Sequence, residues 1–287
     1  RRQRQMCIRD SCRTLSIEFC LFLPDFYSFF RLLPLPNGVF QCIVKVSALH
    51  LDDRIQGKPW TYMKHTPELI VMLTHNDVTV PDAAAVFARC QHTRARYWGF
   101  KEEGLPFAEM QALFAQMKAC GKTTCLEVVA YTEPECLRGA EMAAACGCDI
   151  LMGTVYSDAV HAYCRAHGLR YMPFVGQISG RPSILHGTPA GMICEAEGYL
   201  AKGVDGIDLL GYRYTGDAAA LNRAFITAVH APICLAGSVN SFARLDEIKA
   251  AGAAYFTIGS AFFAHAFGGD IADQINTVCD YMEAPHA

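Results

Sequence analysis

The sequence predicts an α/β protein with the architecture of a single-domain (β/α)8 TIM barrel, preceded by an irregular N-terminal extension. From residue 69 onward, short apolar runs alternate with polar or glycine-containing turns and with helical segments. The runs begin roughly 20–35 residues apart, which is the length of one βα unit. Most of them are continuously apolar, as expected for parallel strands buried on both faces. An open doubly wound sheet is the alternative, but its usual glycine fingerprint does not follow the first run.

Each of the eight runs is assigned to one strand, in chain order. They are "LIVML" (69–73), "YWGF" (97–100), "CLEVVA" (125–130), "DILMG" (149–153), "YMPFVG" (171–176), "GIDLLG" (206–211), "ICLAGS" (233–238) and "YFTIGS" (255–260). Helix signals lie between the runs. The segment 106–120 has apolar residues at helical spacing and ends at Gly121. A candidate capping box is formed by Thr132 and Glu135. A further helix is expected to start at the proline that follows Thr188.

The first 60 residues lack this pattern, because their aromatic residues and prolines follow neither helical nor strand spacing. The opening "RRQRQMCIRDS" (1–11) resembles translated sequencing-adapter read-through. We therefore expect residues 1–60 to be an artefactual or disordered extension and residues 61–287 to form the barrel.

Composition excludes several classes of partner. The formal net charge is −3, so no strong basic field is available to hold a nucleic-acid backbone. No apolar stretch reaches the ~20 residues of a membrane span. The 14 cysteines are irregularly spaced, and many lie inside apolar runs, which indicates a reducing, cytoplasmic protein. Cys146 and Cys148 are too close together and too far from other candidate ligands to indicate a zinc site. We expect no metal, no nucleic acid and no membrane partner. The basic N-terminal residues and the apolar stretch after them make a signal peptide an alternative interpretation of this segment.

Two Gly-Ser pairs end the seventh and eighth runs, at Gly237-Ser238 and Gly259-Ser260. In a barrel of this class both pairs lie on the C-terminal face, where the turns after strands 7 and 8 commonly bind phosphate. Glycine exposes backbone N–H groups, serine adds a hydroxyl, and a short helix after strand 8 would add its positive end. The alternative is that small residues only permit tight turns.

The segment "AGSVNSFARLDEIKAAGAAYFTIGSAFF" (236–263) resembles the closing quarter of the ribulose-phosphate-binding barrels. That superfamily contains sugar-phosphate epimerases, phosphoribosyl isomerases, and sugar-phosphate decarboxylases and aldolases. The resemblance implies that Gly237, Ser238, Gly259 and Ser260 are phosphate ligands, and it makes a homodimer an expectation. The first six strands match no single member, since the Asp-x-Lys-x-x-Asp run of the decarboxylases and the two-His, two-Asp metal pattern of the pentose-phosphate epimerases are absent.

Three ionisable residues at strand ends are candidate catalytic groups: Lys101, Glu127 and Asp208. A carboxylate inside an apolar strand costs several kcal/mol unless it is paired or used. Lys101 is the natural partner of both carboxylates, as electrophile, proton donor or Schiff-base amine, and Glu127 or Asp208 is the candidate general base. A purely structural ion pair is the alternative.

Four further residues are candidate substrate-binding groups. Asp77 lies in a turn after the first strand, and Arg213 in the loop after the sixth could clamp a phosphate or carboxylate. Gln177 and Arg181 belong to the long connection 176–189, whose length is typical of a lid.

These features favour a cytoplasmic isomerase or epimerase that acts on a small phosphorylated sugar by proton transfer next to a carbonyl, without a cofactor. A Schiff-base or decarboxylating lyase is the first alternative. An oxidoreductase is the second, because flavin mononucleotide (FMN) barrels share the same phosphate cradle. A non-catalytic ligand-binding barrel is the third.

Overall fold

The structure, a computed structural model, describes residues 66–284 in full and, before them, the backbone of three strands. The chain divides into two units, Arg1–Pro59 and Trp60–Ala287. The first unit contains three antiparallel strands, Ile17–Leu23, Phe26–Pro34 and Phe40–Ser47. Their runs are largely apolar, so they lack the alternation by which a half-buried strand is recognised. The prediction for residues 1–11 lies outside the described residues.

The barrel strands, labelled here β1 to β8, lie where the eight apolar runs predicted them. Their bounds are Glu68–Met72, Tyr97–Lys101, Thr123–Val128, Ile150–Gly153, Arg170–Met172, Ile207–Leu209, Ile233–Leu235 and Tyr255–Ile258. All neighbouring strands are parallel, in the order β5-β4-β3-β2-β1-β8-β7-β6. A bridge between Phe174 and Asp208 joins the two end strands, and the Asp208 amide donates to the Pro173 carbonyl at 3.0 Å. The predicted (β/α)8 barrel is thereby confirmed.

Helices α1 to α9 follow the strands. Their bounds are Ala83–Cys90, Phe107–Ala119, Glu133–Ala145, Asp158–Ala166, Pro189–Ala201, Ala218–Ala228, Phe242–Ala251, Ser260–Phe263 and Ile271–Glu283. A 3-10 turn, Gly211–Arg213, follows β6. Helix α5 begins at Pro189 as predicted, and Thr188 caps it by accepting the Gly191 amide. Thr132 makes no such bond, because its hydroxyl donates to Glu135 Oε2 at 2.6 Å instead.

The barrel interior has its own apolar core, distinct from the layer between sheet and helices. Its fully buried members are Ile70, Met72, Cys125, Ile150, Met152, Met172 and Cys234. Side chains alternate between the two faces of a strand, so the inward position that follows Cys125 on β3 is Glu127. On β2 the same alternation runs from Tyr97, which packs against this core, to Lys101. The apolar layers therefore support charged side chains at the C-terminal end.

Cysteines contribute mainly to these cores. Seven of the ten cysteines among residues 66–284 are buried, and all ten are free thiols. Burial raises the pKa of Cys148 and of Cys164 to about 12. Within the part of the chain that the structure describes, no helix has the length and apolar character needed to cross a membrane.

Candidate active site

Lys101, Glu127 and Asp208 meet inside the C-terminal end of the barrel. Lys101 ends β2 and lies in register with Glu127 on β3, and Lys101 Nζ is 3.6 Å from Glu127 Oε1. Asp208 comes from β6. The three residues are 6%, 9% and 1% exposed, respectively. The strands thus bring together three ionisable groups that are up to 107 positions apart in the sequence (208 − 101).

A two-residue hairpin after β1 adds a fourth ionisable group. Its strands, Thr74–His75 and Val78–Thr79, are joined by Asn76 and Asp77, whose φ angles are 50° and 69°. Such positive φ angles are typical of tight hairpin turns, and Asn and Asp tolerate them better than other non-glycine residues. Asp77 Oδ1 accepts a hydrogen bond of 2.6 Å from Lys101 Nζ, the shorter of the two ion pairs that Lys101 makes.

Thr79 ties this hairpin to β2. Its hydroxyl donates to the Lys101 carbonyl at 2.8 Å and accepts the Lys101 amide at 3.0 Å. Two buried hydrogen bonds therefore fix the backbone of Lys101 to Thr79, which lies two residues after Asp77 in the hairpin.

Arg213, at the end of the 3-10 turn, reaches the same carboxylate from the other side of the barrel. Its Nη2 is 3.3 Å from Asp77 Oδ1, and its Nη1 donates to the Ser183 carbonyl at 3.4 Å. Its Nε is buried with no hydrogen-bond partner among the described residues. Arg213 thus keeps a donor to offer to an acidic ligand.

These contacts set the protonation states of Lys101 and Asp77. Burial alone would lower the pKa of Lys101, but the carboxylates of Glu127 and Asp77 outweigh it and raise that pKa above its ordinary value. Burial would raise the pKa of Asp77, but the hydrogen bond and charge of Lys101, together with Arg213, lower it. At neutral pH the site therefore holds an ammonium group and an ionised Asp77.

The pKa of Asp208 is shifted in the opposite direction. Both of its carboxyl oxygens are buried without a hydrogen-bond partner among residues 66–284. Burial, followed by repulsion from Glu127, raises the pKa of Asp208 well above its ordinary value, and the attraction of Lys101 is too small to compensate. Asp208 is thus a candidate proton donor beside a candidate base.

The two Gly-Ser turns lie next to each other on the same rim, because β7 and β8 are paired parallel neighbours. Gly237 and Ser238 have φ angles of 92° and 66°. A Cβ on Gly237 would lie 2.8 Å from Arg213 Cγ, and a Cβ on Gly259 would lie 2.4 Å from Thr74 Oγ1. A positive φ and close packing therefore require glycine at 237, and close packing alone requires it at 259, whether or not an anion binds.

The serines of these turns differ in their contacts. Ser260 begins the short helix α8, and its Oγ accepts the Asn76 amide at 3.1 Å, which leaves its hydroxyl hydrogen free to donate. The Ser238 carbonyl accepts a hydrogen bond from Arg244 Nη1. Asn76 also precedes Asp77, so the Ser260 turn borders the charged cluster.

The long connection after β5 forms a second hairpin, with strands Gln177–Ser179 and Ile184–His186. Gln177 is exposed at its start. Arg181, at its tip, pairs with Glu102 at 3.2 Å and with Glu103 at 2.6 Å, and donates to the Val129 carbonyl at 2.7 Å. The hairpin thus reaches from β5 to the ends of β2 and β3, and Arg181 is engaged by protein groups.

Sequence reasoning expected Lys101 to pair with Glu127 and Asp208. The structure places Asp77 in the position expected for Asp208, which itself makes no ion pair within the described residues. The contact between Asp77 and Arg213, 136 residues apart, was also not anticipated. The left-handed Asn-Asp turn signals a hairpin, but no sequence pattern signals where its carboxylate points.

No protein-family model matches the sequence, and no curated protein matches it. Solved structures with a similar fold include orotidine 5'-phosphate decarboxylase from Pyrococcus horikoshii, at 13% identity and a TM-score of 0.56, covering 75% of this chain and all of that one. Tryptophan synthase from M. tuberculosis is 15% identical, with a TM-score of 0.54, over 75% of this chain and 93% of that chain. A 4-hydroxy-2-oxoglutarate aldolase from TTHB1 is 14% identical, with a TM-score of 0.52, over 78% and 98%. At these identities the likeness shows the barrel fold alone.

Proposed function

We propose that this protein is an enzyme that isomerises or epimerises a small phosphorylated metabolite, moving a proton on a carbon next to a carbonyl. The observation that carries the proposal is the state of the cluster formed by Lys101, Glu127 and Asp208. An ammonium, a carboxylate paired with it and a carboxylic acid of raised pKa face one another in a buried space. A buried carboxylic acid of raised pKa beside an ion-paired carboxylate is typical of acid/base sites.

The phosphate is assigned to the rim formed by β7 and β8. Its hydrogen-bond donors are the amides near Gly237 and Gly259 and the free hydroxyl hydrogen of Ser260. The Arg213 side chain packs against Gly237, and its guanidinium supplies positive charge. Arg213 is already held by Asp77, so it is preoriented. Anchoring a remote phosphate would hold the reacting carbon over the cluster, which contributes to catalysis through positioning.

The proton transfers then follow from the assigned states. The Glu127 carboxylate takes the proton from the carbon next to the carbonyl, and the C–H electron pair moves into a C=C bond as the carbonyl oxygen gains negative charge. The Lys101 ammonium stabilises that oxygen. Asp208 donates its proton to the carbon of the intermediate, so Glu127 is protonated and Asp208 is ionised when the product leaves. Glu127 then releases its proton to water and Asp208 takes one from water, which restores the starting states.

Access to this cluster requires motion. Because Lys101, Glu127 and Asp208 are almost fully buried, we infer that the hairpin carrying Gln177 and Arg181 opens to admit substrate. Excluding water on closure would strengthen the electrostatic interactions inside the site.

Solvent-deuterium exchange tests the reaction. The full chain, incubated with a panel of phosphorylated aldoses and ketoses in D2O, is expected to incorporate deuterium next to the carbonyl of one of them, detected by NMR. Glu127→Gln should slow this exchange by about 10²–10⁴-fold, the usual contribution of a general base. Lys118→Met, which breaks an exposed pair with Asp149, is the matched control and should not change the rate. Exchange with no substrate, or exchange that Glu127→Gln leaves intact, contradicts the proposal.

A lyase is the second candidate, because the comparison structures include an aldolase and a decarboxylase. A Schiff base needs a neutral amine, whereas the two carboxylates beside Lys101 raise its pKa. Borohydride treatment with substrate, followed by mass spectrometry, decides between the two. A covalent adduct on Lys101 would establish the lyase route and reject the isomerase mechanism, and its absence during active exchange would support the isomerase.

The remaining hypotheses give different results in the same experiments. A non-catalytic barrel would show ligand-induced thermal stabilisation without exchange. An FMN-dependent enzyme would carry a yellow chromophore on purification.

A further inference from the structure

A cavity of about 360 Å³ lies on the outer side of β3, away from the charged cluster. Val128 and Met142 contribute apolar wall, and Glu102 and Arg181, which pair with each other, contribute charged groups. A Cβ on Gly139 of α3 would come within 2.4 Å of Val128 Cγ1, so the Val128 side chain faces the helix rather than the barrel interior. The cavity and the candidate active site are therefore on opposite faces of the same strand.

Glu102 leaves one acidic oxygen of this cavity unsatisfied. Its Oε1 accepts the Val129 amide at 3.1 Å and Arg181 Nη2 at 3.2 Å. Its Oε2 is buried without a hydrogen-bond partner among the described residues. Burial raises the pKa of Glu102, and a cationic group placed beside Oε2 would remove that cost.

Arg138 leaves a basic group available in the same lining. Arg181 already forms ion pairs with Glu102 and Glu103 and donates to the Val129 carbonyl. Arg138 makes no hydrogen bond or short ion pair within residues 66–284. The Thr132 hydroxyl is the main cause of the lowered pKa of Glu135, and the charge of Arg138 adds to it. Its guanidinium is thus free to bind a carboxylate in a bidentate manner.

The cavity thus combines an unpartnered carboxylate oxygen of Glu102, an unengaged guanidinium of Arg138 and the apolar side chains of Val128 and Met142, which together complement one class of molecule. We propose that this cavity binds a free α-amino acid with an aliphatic side chain, its ammonium group at Glu102 and its carboxylate at Arg138. The volume is within the range of small-molecule sites. The binding proposed here does not require the reaction proposed for the barrel mouth, although Arg181 belongs both to this lining and to the hairpin that we infer opens for substrate.

A thermal-shift screen of the full chain against the 20 common amino acids identifies the ligand, and titration calorimetry then measures its affinity. We expect one or more aliphatic amino acids to stabilise the protein. Arg138→Gln and Glu102→Gln should each weaken binding at least about tenfold, which corresponds to about 1.4 kcal/mol. Arg165→Gln, which replaces an exposed arginine on α4, is the matched control and should leave binding unchanged.

Two analogues separate the zwitterion from simpler ligands. If L-leucine binds, 4-methylpentanoate lacks its ammonium group and 3-methylbutylamine lacks its carboxylate, and each should bind at least about tenfold more weakly. Equal binding of 4-methylpentanoate would replace the proposal with an anion site. No thermal shift with any amino acid, or a shift that both cavity variants leave unchanged, would overturn it. Arg138 lies on the surface, so its variant is expected to fold and to keep the test valid.

Discussion

The hairpin after β1 and the end of β6 each bring one aspartate to the mouth of the barrel, in opposite electrostatic states. Asp77 contacts Lys101 at 2.6 Å and Arg213 at 3.3 Å, and its pKa is lowered. Asp208 has no partner for either oxygen among the described residues, and its pKa is raised. The same residue type is thus a stabilising counter-ion in one region and a destabilising buried acid in the other.

The difference teaches how this site divides its tasks. Asp77 satisfies two cations that would otherwise repel each other, while Asp208 lies where burial outweighs the pull of Lys101. A group that lowers the stability of the fold in this way is expected where function requires it. Four substitutions test this difference between Asp77 and Asp208.

The largest effect is expected for Lys101→Met. Removing the ammonium leaves Glu127 without its ion-pair partner and Asp77 with Arg213 alone, so the free energy of unfolding should fall by about 3–5 kcal/mol, the cost of breaking a buried pair. Denaturant unfolding measures it. Lys118→Met, whose pair is 41% and 32% exposed, should cost less than about 1 kcal/mol. Equal losses in the two variants would show that the cluster is not effectively buried.

Asp77→Asn should cost less, about 2–3 kcal/mol at neutral pH, because Lys101 keeps Glu127. The lowered pKa of Asp77 in the folded protein means that its contribution is present above the pKa of the unfolded chain. That contribution is lost as the pH falls through the folded-state value. The difference between wild type and variant should therefore shrink below about pH 4. A difference that stays constant down to acid pH would mean that the charge of Asp77 contributes nothing.

Asp208→Asn should have the opposite sign and raise the free energy of unfolding by about 1–2 kcal/mol at neutral pH. With a raised pKa, folded Asp208 holds its proton where the unfolded chain has released it, so the wild type loses stability as pH rises above about 4. The gain from asparagine should accordingly grow as the pH rises from about 4 towards the raised folded-state pKa of Asp208. Destabilisation throughout this range would indicate that Asp208 is ionised and paired.

The smallest effect on global stability is expected for Arg181→Gln. The arginine is 40% exposed, so its pairs with Glu102 and Glu103 should contribute less than about 1 kcal/mol. Hydrogen exchange of residues 177–186 should nevertheless become several-fold faster, because the tip of the hairpin loses its attachment to β2 and β3. Unchanged exchange there would show that Arg181 does not hold the hairpin closed.

Sequence pattern located the barrel well because each strand and helix is encoded locally. The eight apolar runs and the spacing within 106–120 correspond to β1 to β8 and to α2. The strands before residue 48 were not predicted, since they show no alternation. The capping bond expected at Thr132 was also absent, because a hydroxyl can donate to a nearby carboxylate as readily as it accepts an amide.

The candidate site was predicted only in part. Buried charges inside apolar strands pointed to Lys101, Glu127 and Asp208, and barrel topology placed all three at one end. The sequences of those strands do not show which carboxylate pairs with Lys101. The partner, Asp77, comes from the turn after β1, and its position depends on the left-handed backbone of Asn76 and Asp77. The glycines of the Gly-Ser turns also serve packing against Arg213 and Thr74, which sequence reasoning did not foresee.

The amino-acid sequence alone specified the eightfold alternation of strand and helix, since hydrophobic periodicity and turn residues act over a few neighbours. It also determined which strand ends carry charge. Only the tertiary structure decided that Asp77 is paired and Asp208 is not, because proton affinity depends on burial and on charges brought close by strands far apart in the chain.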